Sequence, residues 1–319
     1  MSVYTSLSHQ DVADFLAPFE LGNLISYKGI AAGIENTNYF VSSSTGEYVL
    51  TLFEHHHSDE VRDFVRLARH LGRRGLQVPA PLTDHNDVWL HSLKNRPAIL
   101  CQRLPGSHLS DPQPQHCYAI GRAVAAMHQA ADDLNPRRAD ARGFDWWISI
   151  SPELKDDLSA AEQQLLDDEL TFQRRHREQW LVLPQGWIHG DLFHDNALFT
   201  DQGEVGAILD LYNASEGTLI YDLAIIANDW CCRPDGDWKP GCVDALHAGY
   251  SSVRPLQDDE LANWNLVLRG AALRFWLSRL LTRRIQQQLH GELALQKDPA
   301  EFRDKLIMRR NPPPAAAAQ

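Results

Sequence analysis

Near residue 105 the spacing of the apolar residues changes, and that change constrains the fold more than any other feature of the chain. Before it, segments 23–30, 37–43 and 47–53 are short, rich in β-branched and aromatic residues, and separated by glycine-bearing stretches, as antiparallel strands are. Segments 87–93 and 97–104 read the same way and end at Pro105-Gly106. One helix precedes them and another interrupts them. Residues 8–19 place Val12, Phe15, Leu16 and Phe19 at helical spacing behind a cap at Ser8, and Asp59–Arg74 places Val61, Phe64, Val65, Ala68 and Leu71 on one face with Gly75 at its end. Beyond residue 110 helical spacing takes over, at 113–131, 152–182, 219–232, 240–250, 258–290 and 299–309. Inside that region two apolar runs, 197–199 and 205–209, flank Asp201-Gln202-Gly203 and predict a hairpin. The pattern predicts an α+β protein. A small antiparallel sheet with a helix occupies 1–104, a larger and mainly helical part occupies 105–310, and the Pro- and Ala-rich tail 311–319 is expected to be disordered.

Composition narrows the partners. Hydrophobic residues at 44% and charged residues at 23% of 319 suit a folded globular chain, and no run approaches the ~18 apolar residues a membrane span needs, so no membrane partner is expected. A net charge of −12 disfavours nucleic acid, whose binding needs clustered Lys and Arg. It does not disfavour a triphosphate, which Mg²⁺ and backbone amides can neutralise locally. The five cysteines, Cys101, Cys117, Cys231, Cys232 and Cys242, form no CxxC pair and are odd in number. With an N-terminus lacking a basic flank and apolar run, they point to a reducing, cytoplasmic setting. Nothing in the sequence speaks to oligomeric state.

The chemistry is concentrated in His189-Gly190-Asp191-Leu192-Phe193-His194-Asp195-Asn196 and, after the predicted hairpin, Asp210. Phosphoryl transfer to an alcohol needs a carboxylate that orients the hydroxyl and accepts its proton, and oxygen ligands for the Mg²⁺ that bridges the phosphates. Asp191 suits the first role, and Asn196 and Asp210 suit the second. Taken singly, Asp and Asn in loops more often stabilise turns. Taken together, the His-Gly lead, the five-residue step to Asn196 and the apolar strand running into Asp210 match the kinase arrangement of catalytic Asp, metal Asn and second metal Asp. Asp222 opens an apolar helix, where it can serve both as a cap and as a brace that hydrogen-bonds the catalytic-loop backbone, the bracing role being favoured, and His189 is read as a structural brace of the same loop. His194 and Asp195 are expected to be set by loop geometry rather than to react.

Gly29-Ile30-Ala31-Ala32-Gly33 lies between two predicted strands, where Gly29 and Gly33 would let backbone amides approach a triphosphate. By itself such a pair is an ordinary turn, and the Asp191–Asp210 cluster is what gives it a phosphate reading. The general kinase pattern also has a strand Lys paired with a helix Glu. Here Thr51 stands at the Lys position and Glu60 near the Glu position, so either Lys28 reaches the phosphates or Mg²⁺ and backbone amides hold them. The strand end at Gln102 and Leu104 is the expected reader of the adenine edge. His55-His56-His57 reads as an exposed loop, because neighbouring strand residues point apart and cannot easily share a metal.

Gly29 to Phe40, Tyr48 to Glu54, Gly75 to Pro81 and His189-Gly190-Asp191-Leu192-Phe193 together make the chain resemble bacterial homoserine kinases of the aminoglycoside-phosphotransferase-like, protein-kinase-like superfamily, over nearly its whole length. The resemblance implies a two-lobed fold, ATP and Mg²⁺ as cofactors, and L-homoserine as a small-molecule substrate phosphorylated on its γ-hydroxyl, a step toward threonine. In that family Thr51 weakens the general kinase template more than the assignment itself. An amino-acid acceptor needs partners for a carboxylate and an ammonium group, and the candidate pool is Asn36, Trp230, Arg269, Arg274, Trp276 and Arg279. Two other readings stay open from the residues alone. One is a kinase of another amino alcohol or an aminoglycoside, and the other a catalytically silent nucleotide-binding protein, suggested by the missing Lys.

Overall fold

The computed structural model describes residues 4–30, 36–233, 235–288 and 297–311. These divide into two compact units, one of residues 1–107, 197–202 and 206–213, the other of 108–196, 203–205 and 214–319. The division expected at 104/105 is therefore amended, because the hairpin strands belong with the first unit by packing although they follow by ninety residues in the chain.

In the first unit, α1 (His9–Leu16) begins with a capping box. The Ser8 side chain accepts the Asp11 N–H at 3.2 Å and the Asp11 carboxylate accepts the Ser8 N–H at 2.8 Å. An antiparallel sheet follows in the order β1 (Leu24–Gly29), β2 (Asn36–Ser43), β3 (Gly46–Phe53), β5 (Arg96–Gln102), β4 (His91–Leu93), with α2 (Ser58–Arg73) between β3 and β4. Alternation along the strands builds a core on each face. Tyr48, Leu50, Leu52, Ala98 and Leu100 pack with Val12, Phe15 and Leu16 of α1, while Phe53, Ile99 and Cys101 pack with Val61 and Val65 of α2. Gly75, at φ +82, ends the second helix as expected. The strand expected at 87–93 is shorter, since Asp84 gathers the Asn86 and Val88 N–H groups (2.8 Å each) into a turn.

In the second unit, α3 (Pro114–Ala131) crosses α8 (Cys242–Ser251) closely, because Gly121 and Gly249 carry no Cβ there. A Cβ at Gly249 would stand 2.1 Å from the Tyr118 carbonyl. The helix expected at 152–182 is three: α4 (Phe144–Leu154), α5 (Ala160–Arg175) and α6 (Arg177–Val182). Pro152 lies in the last turn of α4, and α5 starts at its own capping box, Ser159 with Glu162. The sequence reading missed the short sheet of β6 (Gln185–Ile188) and β9 (Ser215–Thr218). The hairpin of β7 (Ala197–Phe199) and β8 (Val205–Ile208) forms as expected, turning at Gly203, φ +78. Then come α7 (Ile220–Trp230) and the expected 258–290 helix. The latter breaks at Asn263 into α9 (Asp258–Ala262) and α10 (Trp264–Gln288), its last two residues lying outside the described ones. The chain continues with α11 (Pro299–Arg310). Residues 312–319 of the expected tail lie outside the described residues. No helix among the described residues is long and apolar enough to cross a membrane.

Candidate active site

The loop from His189 to Asn196 starts where β6 ends. Gly190, at φ +74, makes the turn that a side chain would strain, and it immediately precedes Asp191. The loop holds its own shape through the Asp191 carbonyl, which accepts the Phe193 N–H at 2.9 Å and the Asn196 Nδ2–H at 2.8 Å. His189 is fully buried and its Nδ1 accepts the Asp191 N–H at 3.2 Å, so its ring proton sits on Nε2.

Two carboxylates of α7 hold this loop at its two ends. They are seven residues apart, hence on one face of the helix. Asp222, fully buried, accepts the His189 N–H at 2.7 Å and the Gly190 N–H at 2.8 Å. Asp229 Oδ2 accepts the His194 N–H at 2.8 Å and pairs with His194 Nδ1 at 2.7 Å. The next residue, Trp230, donates its indole N–H to the Leu192 carbonyl at 3.1 Å. Behind Asp222 runs a buried chain of hydrogen bonds. His128 Nε2–H donates to Asp222 at 2.9 Å, Tyr250 O–H donates to His128 Nδ1 at 2.8 Å, and Arg254 donates to Tyr250 at 3.2 Å and to Glu260 at 3.0 Å. Burial pushes the Asp222 carboxyl up, yet the His128 hydrogen bond and the His128 and His189 rings more than offset it, so the group is held below its ordinary range.

Asp191 is half-buried, and Arg274 of α10 reaches its Oδ1 at 3.4 Å. Burial raises its carboxyl above the ordinary range against the opposing pull of Arg274, His189 and Lys297. A carboxylate whose proton affinity is raised in this way is a better proton acceptor than a free one. Asn196 spends its amide N–H on the Asp191 carbonyl, which leaves the amide oxygen to face a ligand. Asp210 follows β8 in the first unit, in left-handed backbone at φ 54, and Tyr212 just beyond packs its ring edge-on to Phe53 at 5.3 Å. A carboxamide oxygen and a carboxylate oxygen are the donors that a hard divalent cation takes, so these residues fit Mg²⁺ chemically.

Other expected site residues stand as follows. Gly29 closes β1 opposite Tyr39, whereas Gly33 lies outside the described residues. Gln102 ends β5 opposite Tyr48 and is exposed, with Leu104 half-buried beyond it. Asn36 opens β2, buried, its Oδ1 lacking a hydrogen-bond partner. Trp230 and Trp276 are corrected: at 0% and 1% exposure neither can touch an acceptor, and Trp230 serves the loop instead. Arg269 is likewise structural, giving Nε and Nη2 to the buried Glu169 at 3.1 Å and 2.5 Å, and Arg279 pairs with Glu301 at 2.6 Å. Glu60 is exposed and caps α2 by accepting the His57 N–H at 2.8 Å, so it has no strand cation to pair with. Thr51 donates to Asn38 Oδ1 across the strands at 2.7 Å. His55 and His57 are exposed in the loop before α2, with His56 half-buried.

Sequence reading missed Asp229 and His128. The spacing of Asp222 and Asp229 in an otherwise apolar helix was the available signal, since buried carboxylates need donors. His128 carried none, lying 94 residues from its partner.

Residues 26–256 match the model of the phosphotransferase enzyme family. The chain is 41% identical over 302 residues to a homoserine kinase of Methylobacillus flagellatus, covering 95% of this chain and 93% of that one. It is 37% identical over 332 residues to a homoserine kinase of Cupriavidus metallidurans, covering 99% of both. Among solved structures, a microcompartment-associated aminopropanol kinase superposes with a TM-score of 0.71 at 17% identity, over 95% of this chain and 97% of that one, which shows a shared protein-kinase-like α+β fold. With the family model matched across most of the chain and relatives matched from end to end, the chain belongs to the phosphotransferase enzyme family and is a kinase.

Proposed function

We propose that this enzyme transfers the γ-phosphoryl group of ATP to the γ-hydroxyl of L-homoserine, giving O-phospho-L-homoserine on the route to threonine. The observation that carries this reading is the near-full-length identity to homoserine kinases, 41% and 37%, together with Asp191 standing in a braced His-Gly-Asp loop. Asp191 orients the acceptor hydroxyl and takes its proton as the new P–O bond forms and the bond to the ADP oxygen breaks. Its raised carboxyl suits it to that proton. Asp222 and Asp229 keep the loop from yielding, and Trp230 holds it at Leu192. Asn196 and Asp210 are assigned to Mg²⁺, which when bound neutralises charge on the β- and γ-phosphates. With Thr51 committed to Asn38, backbone amides of the Gly29–Gly33 segment are assigned to the phosphates, and the Gln102–Leu104 strand end to the adenine. A cytoplasmic setting accords with the five free cysteines.

Purified protein assayed for ADP release should turn over L-homoserine in preference to other small amino alcohols and to aminoglycosides. A better acceptor in that panel would replace homoserine in the reading. Absence of ATP turnover with every acceptor would refute the kinase assignment for this chain. Replacing Asp191 by Asn should lower kcat by roughly 10²–10⁴-fold with MgATP affinity nearly unchanged.

A further inference from the structure

Residues 132–143 join α3 to α4 and carry a charged cluster that the loop chemistry does not use. Asp140 Oδ1 accepts the Arg142 backbone N–H at 2.7 Å, and Gly143 leaves open the space beside Oδ2, where a Cβ would intrude to 2.8 Å. Asp140 is exposed, but within a concavity: with Gly143, Trp147, Ile188 and Tyr221 it lines a cavity of about 250 Å³. The Arg142 guanidinium lies 5.0 Å over the Trp146 ring and reaches Ser278 Oγ at 3.5 Å. Ser278 stands one turn beyond Arg274 on α10, and Arg274 reaches Asp191. Arg274, Arg138 and Arg142 all lie near enough to act electrostatically on the Asp140 carboxyl, and Arg274 in turn reaches the Asp191 carboxylate at 3.4 Å.

Building on the homoserine reading, we infer that Asp140 binds the ammonium group of the acceptor while Arg142 and Arg274 bind its carboxylate. The acceptor carries both charges on one carbon, and its hydroxyl lies two methylenes away. Anchoring that carbon between Asp140 and the two arginines directs the hydroxyl back toward Asp191. A guanidinium fork matches a carboxylate in two places at once, and Oδ2 of Asp140 is the oxygen left for a cation. Desolvation raises the Asp140 carboxyl despite the Arg142 N–H and the arginines near it, so an ammonium seated on the carboxylate would offset that cost. Asp140 and Arg142 are assigned to binding, whereas Arg274, which also reaches Asp191, bears on binding and chemistry alike.

The test uses the full-length enzyme with L-homoserine and with its two halves, 3-aminopropan-1-ol and 4-hydroxybutanoate, as competitive inhibitors. Asp140→Asn should raise the KM for homoserine about 10- to 100-fold with kcat changed less than about threefold, the signature of lost uniform binding. It should weaken 3-aminopropan-1-ol by a like factor and leave 4-hydroxybutanoate unaffected. Arg142→Gln should show the reverse selectivity. A fall in kcat with KM unchanged, an unaltered homoserine KM, or equal weakening of both halves by either variant would overturn the assignment. Wild-type enzyme that ignores homoserine would instead overturn the function on which the assignment rests.

Discussion

Asp222→Asn tests the brace most directly. The native carboxylate takes three N–H donors, His189 and His128 on Oδ2 at 2.7 and 2.9 Å and Gly190 on Oδ1 at 2.8 Å. Asparagine keeps the shape but turns one oxygen into a donor, so whichever way the amide lies at least one buried N–H faces another. Losing one charge-assisted bond costs about 1.5–3 kcal/mol, and weakening the others brings the total to roughly 3–5 kcal/mol. That is a large part of the ~5–15 kcal/mol that typically holds a protein folded. Because Gly190, at φ +74, sets the aim of Asp191, the same lesion should lower kcat by roughly 10- to 100-fold, about 1.4 kcal/mol being tenfold. Urea unfolding followed by tryptophan fluorescence measures the first quantity and steady-state kinetics at saturating ATP the second. The pH dependence has a definite sign. Asp222 is held below its ordinary range, so its stabilisation is complete above the unfolded carboxyl pKa and is lost as pH falls through the lowered one. The gap between wild type and D222N should narrow toward acid. A variant within about 1 kcal/mol of wild type at neutral pH, with kcat within about twofold, would refute the brace.

Arg274→Gln removes the foremost cation opposing the burial of Asp191, so the Asp191 carboxyl should rise further and the acid limb of kcat should move to higher pH; a stationary limb counts against Asp191 as the base. Arg269→Ala should cost about 3–5 kcal/mol by leaving Glu169 buried and unpaired, with the homoserine KM unchanged, and a raised KM would return Arg269 to the acceptor site. Gly249→Ala drives a Cβ to 2.1 Å from the Tyr118 carbonyl and should destabilise the protein by at least about 2 kcal/mol in thermal unfolding, with a neutral outcome showing that α3 and α8 can part cheaply.

The first unit was legible because its signals are local. Glycine-bearing stretches separated the short strand segments, and Ser8 and Gly75 marked helix ends within a residue of where they fall. Helix junctions further on were misread where two rules competed. The helix expected from residue 152 starts at Pro152, which instead sits in the last turn of α4, and the capping box at Ser159 marks the true start of α5. The β6–β9 pair was missed because Gln185–Ile188 and Ser215–Thr218 are four residues each, too short to show a period, and find each other 27 residues apart.

For the site, the residues proposed to carry chemistry stand in a local motif and those that hold them mostly do not. Asp191 and Asn196, the proposed base and metal ligand, lie five apart on one loop, and the hydrogen bond between the Asn196 amide and the Asp191 carbonyl is local. What fixes that loop comes from α3, α7 and α10, which follow no motif. The tryptophans offered for the acceptor show why: an indole looks equally apt for a ligand and for a core, and only burial decides between them. Arg274 illustrates the opposite case. Among three arginines at five-residue spacing on one helix, Arg269 turns to Glu169 and Arg279 to Glu301, each satisfied by a carboxylate that sequence could not match to it. Five residues on a helix is well over one turn, so the three side chains fan out to different neighbours, and the one between them reaches Asp191. Only Nη1 of Arg274 is within hydrogen-bond distance of Asp191, at 3.4 Å, so the rest of the fork is the part to which the proposed acceptor carboxylate is assigned, beside the proposed base and without displacing it.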